Sequence, residues 1–236
     1  MIFVRWHLHQ LHICRQGKME KQIKLHLGCG QKYMDGYINI DYPSSQHTIQ
    51  KTSVADEFHN IHELTYKSSS VDEIRLHHVF EHFERMRACA FMAGWNSWLK
   101  IGGILDIEVP DFETTCRRNL SFFSKSKHEG VALRHIFGSQ EAAWAVHFEG
   151  YSGARLTKLF TGFGFRVLEV KKTAYKRTFN VEVIGSKERS ITYQQALVAA
   201  REYLSDYMVD HSETEKNILD VQCANFEAQL IVSFAC

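Results

Sequence analysis

Leu25-His26-Leu27-Gly28-Cys29-Gly30 is the stretch whose reading decides the fold. Ile23, Leu25 and Leu27 alternate with the polar Lys24 and His26, the period-two pattern of a strand, and the pattern runs straight into a glycine turn. Glycines at the carboxyl end of a first parallel strand let a ligand approach the backbone with no Cβ in the way. The turn fails the dinucleotide fingerprint, however. Counted from Gly28, GxGxxG requires a glycine where this chain has Tyr33.

Working outward, residues 37–40 form a second short strand that ends at Asp41, and residues 71–76 read as another. The apolar stripe of Phe80, Phe83, Met86, Ala90, Met92 and Ala93 predicts a helix over 80–99, stopped by Gly102-Gly103. Residues 104–109 alternate as a strand that meets Pro110, a helix-like region starts near Phe112, and Ser152 opens a further helix that ends at Gly162-Phe163-Gly164. Residues 165–170 and 179–184 are the last strands, a closing antiparallel pair joined by a polar link over 171–178. Strand, helix, strand in this order predicts an α/β fold, a Rossmann-like, mostly parallel sheet with helices on both faces. Three regions follow: an extension over 1–20 with no clean period, which Met19 would exclude if the chain started there; a Rossmann-like domain over 21–186; and a helical hairpin over 187–236. In that hairpin Thr192/Gln195 and Ser212/Glu215 have capping-box spacing, and Leu219, Cys223, Phe226 and Leu230 line one helix. The hairpin packs on the core or, alternatively, presents an oligomerisation surface for a second copy.

The composition narrows the partners. The chain has 236 residues, 28 Lys+Arg against 27 Asp+Glu, a formal charge of +1 and 14 histidines. That balance argues against a polyanion-coating protein. Six cysteines without a CxxC pair, and an N-terminal apolar run too short for a signal core or membrane span, give the expectation of reduced thiols in a cytoplasmic protein. His7, His9 and His12 do not make a convincing metal site in so irregular a segment.

The acid after the second strand narrows the ligand. Asp41 follows Gly28 by 13 residues, rather than the ~20 of a dinucleotide unit. A carboxylate there can accept from both hydroxyls of a ribose. S-adenosylmethionine carries a ribose but no phosphate, so the missing third glycine penalises NAD more than it penalises that cofactor.

Together, Leu25-His26-Leu27-Gly28-Cys29-Gly30 and Gly36-Tyr37-Ile38-Asn39-Ile40-Asp41 resemble the opening of class I S-adenosylmethionine-dependent methyltransferases, especially a subgroup with a compact "LGCG…GxxNxD" pattern. Ser70-Val71-Asp72-Glu73-Ile74 with His78-Val79-Phe80-Glu81-His82, Leu99-Lys100-Ile101-Gly102-Gly103, and Gly162-Phe163-Gly164-Phe165 resemble later segments of that family, in order. The resemblance spans roughly residues 22–186. It implies an S-adenosyl-L-methionine cofactor held by Leu27, Gly28, Cys29, Gly30, Asp41, Asn60, Ile61 and His78, with Asn60 at the adenine edge and Asp56 as the fallback. It also implies methyl transfer to an acceptor the chain does not identify, a small molecule or glycan being favoured. Five residues between Gly30 and Gly36 are too few for a crossover helix, so either that helix is reduced to a turn or the second strand starts later. The alternatives are a non-catalytic Rossmann-like protein that binds a partner through its C-terminal helices and, less favoured, a NAD-dependent oxidoreductase.

His78-Val79-Phe80-Glu81-His82 is also an HxxEH pattern, the inverted zinc-protease signature. It straddles a strand-to-helix junction, so its histidines need not share a helix face, and the expectation is no metal. For catalysis the carboxyl ends of the strands select His78 and Asp111, and the lid-like segment before the last helix offers His147 beside Trp144, Glu149 and Tyr151. Imidazoles lining such a pocket predict a steep activity change between about pH 6 and 8.

Overall fold

The computed structural model describes residues 21–43, 52–120 and 128–234. The extension over 1–20, with His7, His9, His12 and Met19, lies outside them. Seven strands form one sheet: β1 (Lys24–Leu27), β2 (Ile38–Asp41), β3 (Glu57–Phe58), β4 (Val71–His77), β5 (Leu99–Pro110), β6 (Phe165–Tyr175) and β7 (Thr178–Lys187). Their spatial order is β3-β2-β1-β4-β5-β7-β6. The first five run parallel, and β7 is antiparallel to both neighbours. Helices lie on both sides, giving a Rossmann-like α/β fold. Because the chain builds outward in both directions from β1, the switch point lies between β1 and β4, and a crevice opens there beyond the carboxyl ends of the strands.

The connection from β1 to β2 contains turns and no helix. One side chain takes over the organising role of the missing helix. Asn39 is fully buried. Its amide oxygen accepts from Met34 N–H at 2.9 Å and faces His26 Nδ1 at 3.1 Å. Its amide nitrogen donates toward the carbonyls of Met34 (3.1 Å) and Tyr37 (3.3 Å) and to Asp56 Oδ2 (3.0 Å). A single amide thus stitches the turn to the strand below it and to the neighbouring strand.

The helix expected over 80–99 is shorter. Phe80–His82 form a single 3-10 turn, Glu84 is extended at ψ 151°, and α1 spans Arg85–Trp98. Phe80 and Phe83 did signal burial, but in an aromatic cluster with Tyr151, Trp95 and Phe91 rather than on a helix face. Gly102-Gly103 does not end the helix. It lies inside β5, at an irregularity where the partner of β4 jumps from Leu99 to Ile104. The link expected over 171–178 is also mostly strand: β6 continues to Tyr175, and the turn is Lys176-Arg177, with Lys176 at φ +55°. As an edge strand β6 carries Lys171 and Lys172, charges that discourage edge-to-edge pairing.

After β5 come α2 (Phe112–Thr115), a π-helical turn (Cys116–Leu120), α3 (Glu129–Phe137) and α4 (Gly153–Gly162), which Ser152 caps as expected. Two more helices, α5 (Tyr193–Ser205) and α6 (Glu213–Phe234), complete the chain. The Thr192/Gln195 capping box is present in both arms. At Ser212 only half forms: Glu215 N–H reaches Ser212 Oγ, while the Glu215 carboxylate turns to Val209 N–H. α1 is buried on nearly all sides, as a helix covered by a second layer must be, and α6 is packed against it. Leu219, Phe226 and Leu230 of the expected stripe are buried within the chain, while Cys223 is half-buried. Among the described residues no helix is long and apolar enough to cross a membrane.

Candidate functional site

The glycine turn and Asp41 form one knot at the carboxyl ends of β1 and β2. Gly28 N–H (2.8 Å) and Cys29 N–H (3.1 Å) both donate to Ile40 O. Gly30 N–H donates to Asp41 Oδ2 at 3.0 Å, and Tyr42 N–H to Asp41 Oδ1 at 2.8 Å. The buried Asp41 carboxylate is therefore oriented by backbone on both oxygens. Leu27 is in the core, so only its backbone faces the turn. Burial, reinforced by Asp41 and Asp56, pushes the Cys29 thiol up to about 11, so it is no nucleophile at neutral pH.

The two glycines are required for different reasons. At Gly30 (φ +55°) an added Cβ would meet nothing within 4 Å, so the space above the turn is open. At Gly28 (φ +67°) a Cβ would lie 2.3 Å from Cγ2 of Val79, the residue that follows His78 beyond β4. Gly28→Ala should therefore destabilise by about 2–3 kcal/mol, from left-handed backbone (~1–2) and overpacking. Thermal unfolding should show a Tm lower by roughly 4–12 °C. Adding Val79→Ala should restore the steric part only; a single variant that melts with the wild type would contradict this packing.

Asn60 stands two residues beyond β3. It caps the 3-10 turn Ile61–Glu63, and its side-chain oxygen accepts from His62 N–H at 3.1 Å. The oxygen expected to meet an adenine amino group is thus already shared with backbone. The fallback, Asp56, is committed elsewhere: its Oδ2 accepts from both the backbone and the side-chain nitrogen of Asn39, which holds the carboxyl below its ordinary range.

Beside this knot is a cavity of about 570 Å³ beyond β4 and β5, and His78, Glu81, His82, His135 and His147 all line it. His78, at φ +57°, places its ring between two carboxylates: Nδ1 is 3.5 Å from Glu81 Oε1 and Nε2 is 3.3 Å from Glu108 Oε1. Burial pulls its pKa down, but the bonds to Glu108 and Glu81 outweigh that and raise it to about 10. The two carboxylates thus favour the charged imidazolium form of His78. Burial lowers His147, leaving it neutral, with Nδ1 3.1 Å from the His135 carbonyl.

Asp111 does not join this group. It is fully buried, accepts from Thr114 N–H (3.1 Å) and Thr114 Oγ1 (2.5 Å), and pairs with Lys172 at 3.0 Å. In this structure Asp111 caps α2. Glu81, within the HxxEH pattern, is the buried centre of the histidine cluster and lines the cavity. Its only sequence signal was an acid flanked by histidines at a strand end.

No family model and no curated protein matches the chain. Solved structures do. An S-adenosylmethionine-dependent methyltransferase from Methanosarcina mazei is 15% identical over 72% of this chain and 94% of that one, with a TM-score of 0.46. The PH0226 protein of Pyrococcus horikoshii OT3 is 17% identical over 72% and 84%, with a TM-score of 0.49. Magnesium protoporphyrin IX methyltransferase from Synechocystis PCC 6803, solved with S-adenosylmethionine bound, is 12% identical over 70% of each chain, with a TM-score of 0.43. At such values the likeness is one of fold alone.

Proposed function

We propose that the chain is an S-adenosylmethionine-dependent methyltransferase of the compact "LGCG…GxxNxD" type. The observation that carries this reading is the joining of the glycine turn to Asp41 at the switch-point edge of the sheet. The open space over Gly30 leaves room for a ligand beside that carboxylate. NAD fits poorly, because the β1–β2 connection has no helix and so no helix N-terminus to receive a pyrophosphate.

In this reading the backbone of Leu27, Gly28, Cys29 and Gly30 lines the cofactor, and Asp41 takes the ribose hydroxyls. Asn60, as a shared acceptor, and Ile61 meet the adenine edge. The cofactor supplies an electrophilic methyl group on a sulfonium. The chain supplies alignment and excludes water; alignment alone contributes roughly 7–11 kcal/mol in well-oriented reactions. His78, as a fixed cation beyond β4, orients an anionic group of cofactor or acceptor, and His147 faces the acceptor across the cavity. A small molecule or glycan suits the cavity of about 570 Å³ better than a large protein surface does.

Titration calorimetry with S-adenosylmethionine, S-adenosylhomocysteine and NAD tests the reading. The expected result is micromolar binding of both S-adenosyl compounds and none of NAD. Absence of S-adenosyl binding would sink the proposal.

A further inference from the structure

Three side chains from distant parts of the chain converge on the floor of the histidine cavity. Glu81 and His82 come from the 3-10 turn after β4, and His147 comes from the segment before α4. One ligand atom from each lies within 4.8 Å of the others. His147 Nε2 is 3.9 Å from Glu81 Oε1, and the two imidazoles meet edge to face with centroids 4.8 Å apart. Ligand atoms around a tetrahedral ion, each about 2.0–2.2 Å from it, stand roughly 3.4 Å apart, so small side-chain rotations close the set.

Two further observations point to a ligand. Both carboxylate oxygens of Glu81 are buried; among the described residues Oε2 has no hydrogen-bond partner, and Oε1 has only the His78 ring, at the long distance of 3.5 Å. A buried carboxylate left so is costly, and a metal ion would satisfy it. The second is the tautomers. His82 Nδ1 is 3.0 Å from the carbonyl of Val146, and His147 Nδ1 is 3.1 Å from that of His135. A carbonyl only accepts, so each Nδ1 is the donor, and in His147 that leaves Nε2 facing Glu81 Oε1 at 3.9 Å. Backbone carbonyls that fix the tautomer in this way are the usual second layer of support for metal-binding histidines.

A second group, His77, Glu108 and Glu182, is also close enough for a metal. Its members are already paired: His77 with Asp106 and Arg75, Glu108 with His78, and Glu182 with Lys171. Nothing there is left unsatisfied to call for an ion.

We propose that Glu81, His82 and His147 form a three-ligand site for a divalent transition metal of the zinc class, with its remaining coordination position open to the cavity. Two histidines and a glutamate are a donor set that zinc accepts with a fourth position left for water or substrate. An oxygen-bearing ligand, a hydroxyl or a carboxylate, would complete the sphere. The pattern that sequence spacing offered pairs His78 with His82; the fold pairs His82 with His147 instead.

The site can be tested whether or not the chain transfers methyl groups, because the readout is the metal itself. The full chain is stripped with a chelator and titrated with Co²⁺ while visible absorption is followed, then with Zn²⁺ in competition. The expected result is one equivalent of Co²⁺ with the intense bands of a four-coordinate ion, displaced by Zn²⁺. His147→Ala and the near-isosteric Glu81→Gln should each weaken binding at least 10-fold and bleach the bands, while His59→Gln, on the exposed β3 side, should change neither. Circular dichroism of each metal-free variant checks folding, and Glu81→Gln keeps the test decisive if His147→Ala does not fold. Weak six-coordinate spectra, no binding, or stoichiometric binding untouched by both variants would overturn the site.

Discussion

With Asn39 replaced by alanine, the chain should lose about 3–4 kcal/mol of stability and melt roughly 6–15 °C lower. The loss is large because the amide is not one contact. Removing it strands Met34 N–H and the His26 ring proton without their acceptor, and the Met34 and Tyr37 carbonyls without their donor. It also takes the side-chain N–H donor away from Asp56. The His26 ring is buried and the turn groups are half-buried, and an orphaned buried group costs about 1–3 kcal/mol, partly recovered as the turn relaxes. Asn39→Asp should not rescue, since a carboxylate cannot donate to those carbonyls and would repel Asp56. Denaturant and thermal unfolding of the two variants provide the measurement. A wild-type Tm for Asn39→Ala would mean that the turn is held by something else.

Replacing Asp41 by alanine should weaken S-adenosylmethionine binding about 100-fold, or about 2.7 kcal/mol. Hydrogen bonds to an ionised group contribute about 1.5–3 kcal/mol each, and two ribose hydroxyls are in question. Alanine also releases Gly30 N–H and Tyr42 N–H, so the turn itself loosens. Asp41→Asn separates the two effects: one oxygen remains an acceptor, the charge is gone, and binding should fall only about 10-fold. Calorimetry gives the affinities, and a melting curve for each variant separates lost contact from lost structure. Affinity unchanged by Asp41→Ala would place the ribose elsewhere.

Much of this fold is legible because it is written in local pattern. Alternation marks β1, β2, β4 and β7, and the run from Phe165 marks the start of the hairpin. Capping chemistry marks the starts of α4 and α5. The misreadings came where tertiary packing outweighed period. Phe80 and Phe83 fit a helical stripe, yet they belong to an aromatic cluster that requires Tyr151, a residue far along the chain. Gly102-Gly103 has the composition of a helix stop, yet it serves an irregular pairing between β4 and β5. The site divides in the same way. Gly28, Gly30 and Asp41, singled out by spacing, lie together at the ends of β1 and β2. His147 meets Glu81 only because the segment before α4 crosses over the end of β4, and no spacing rule carries that information. Asp111, picked for its place after β5, proved to be engaged in capping, because a carboxylate at a strand end serves equally well as a helix cap.

The helix-free link between β1 and β2 bears on the order in which the site assembles. Closing so short a loop costs little chain entropy, and the cost grows slowly with length. The glycine knot and its carboxylate can therefore form from neighbouring segments early and cheaply. The histidine cavity is the opposite case: Glu81 waits for His147, 66 positions later in the chain, and depends on pairings of high contact order. One half of the crevice is a local unit, and the other is a product of the finished molecule. Loosening that reaches the segment before α4 would thus dismantle the histidine side first, while the glycine knot still stands.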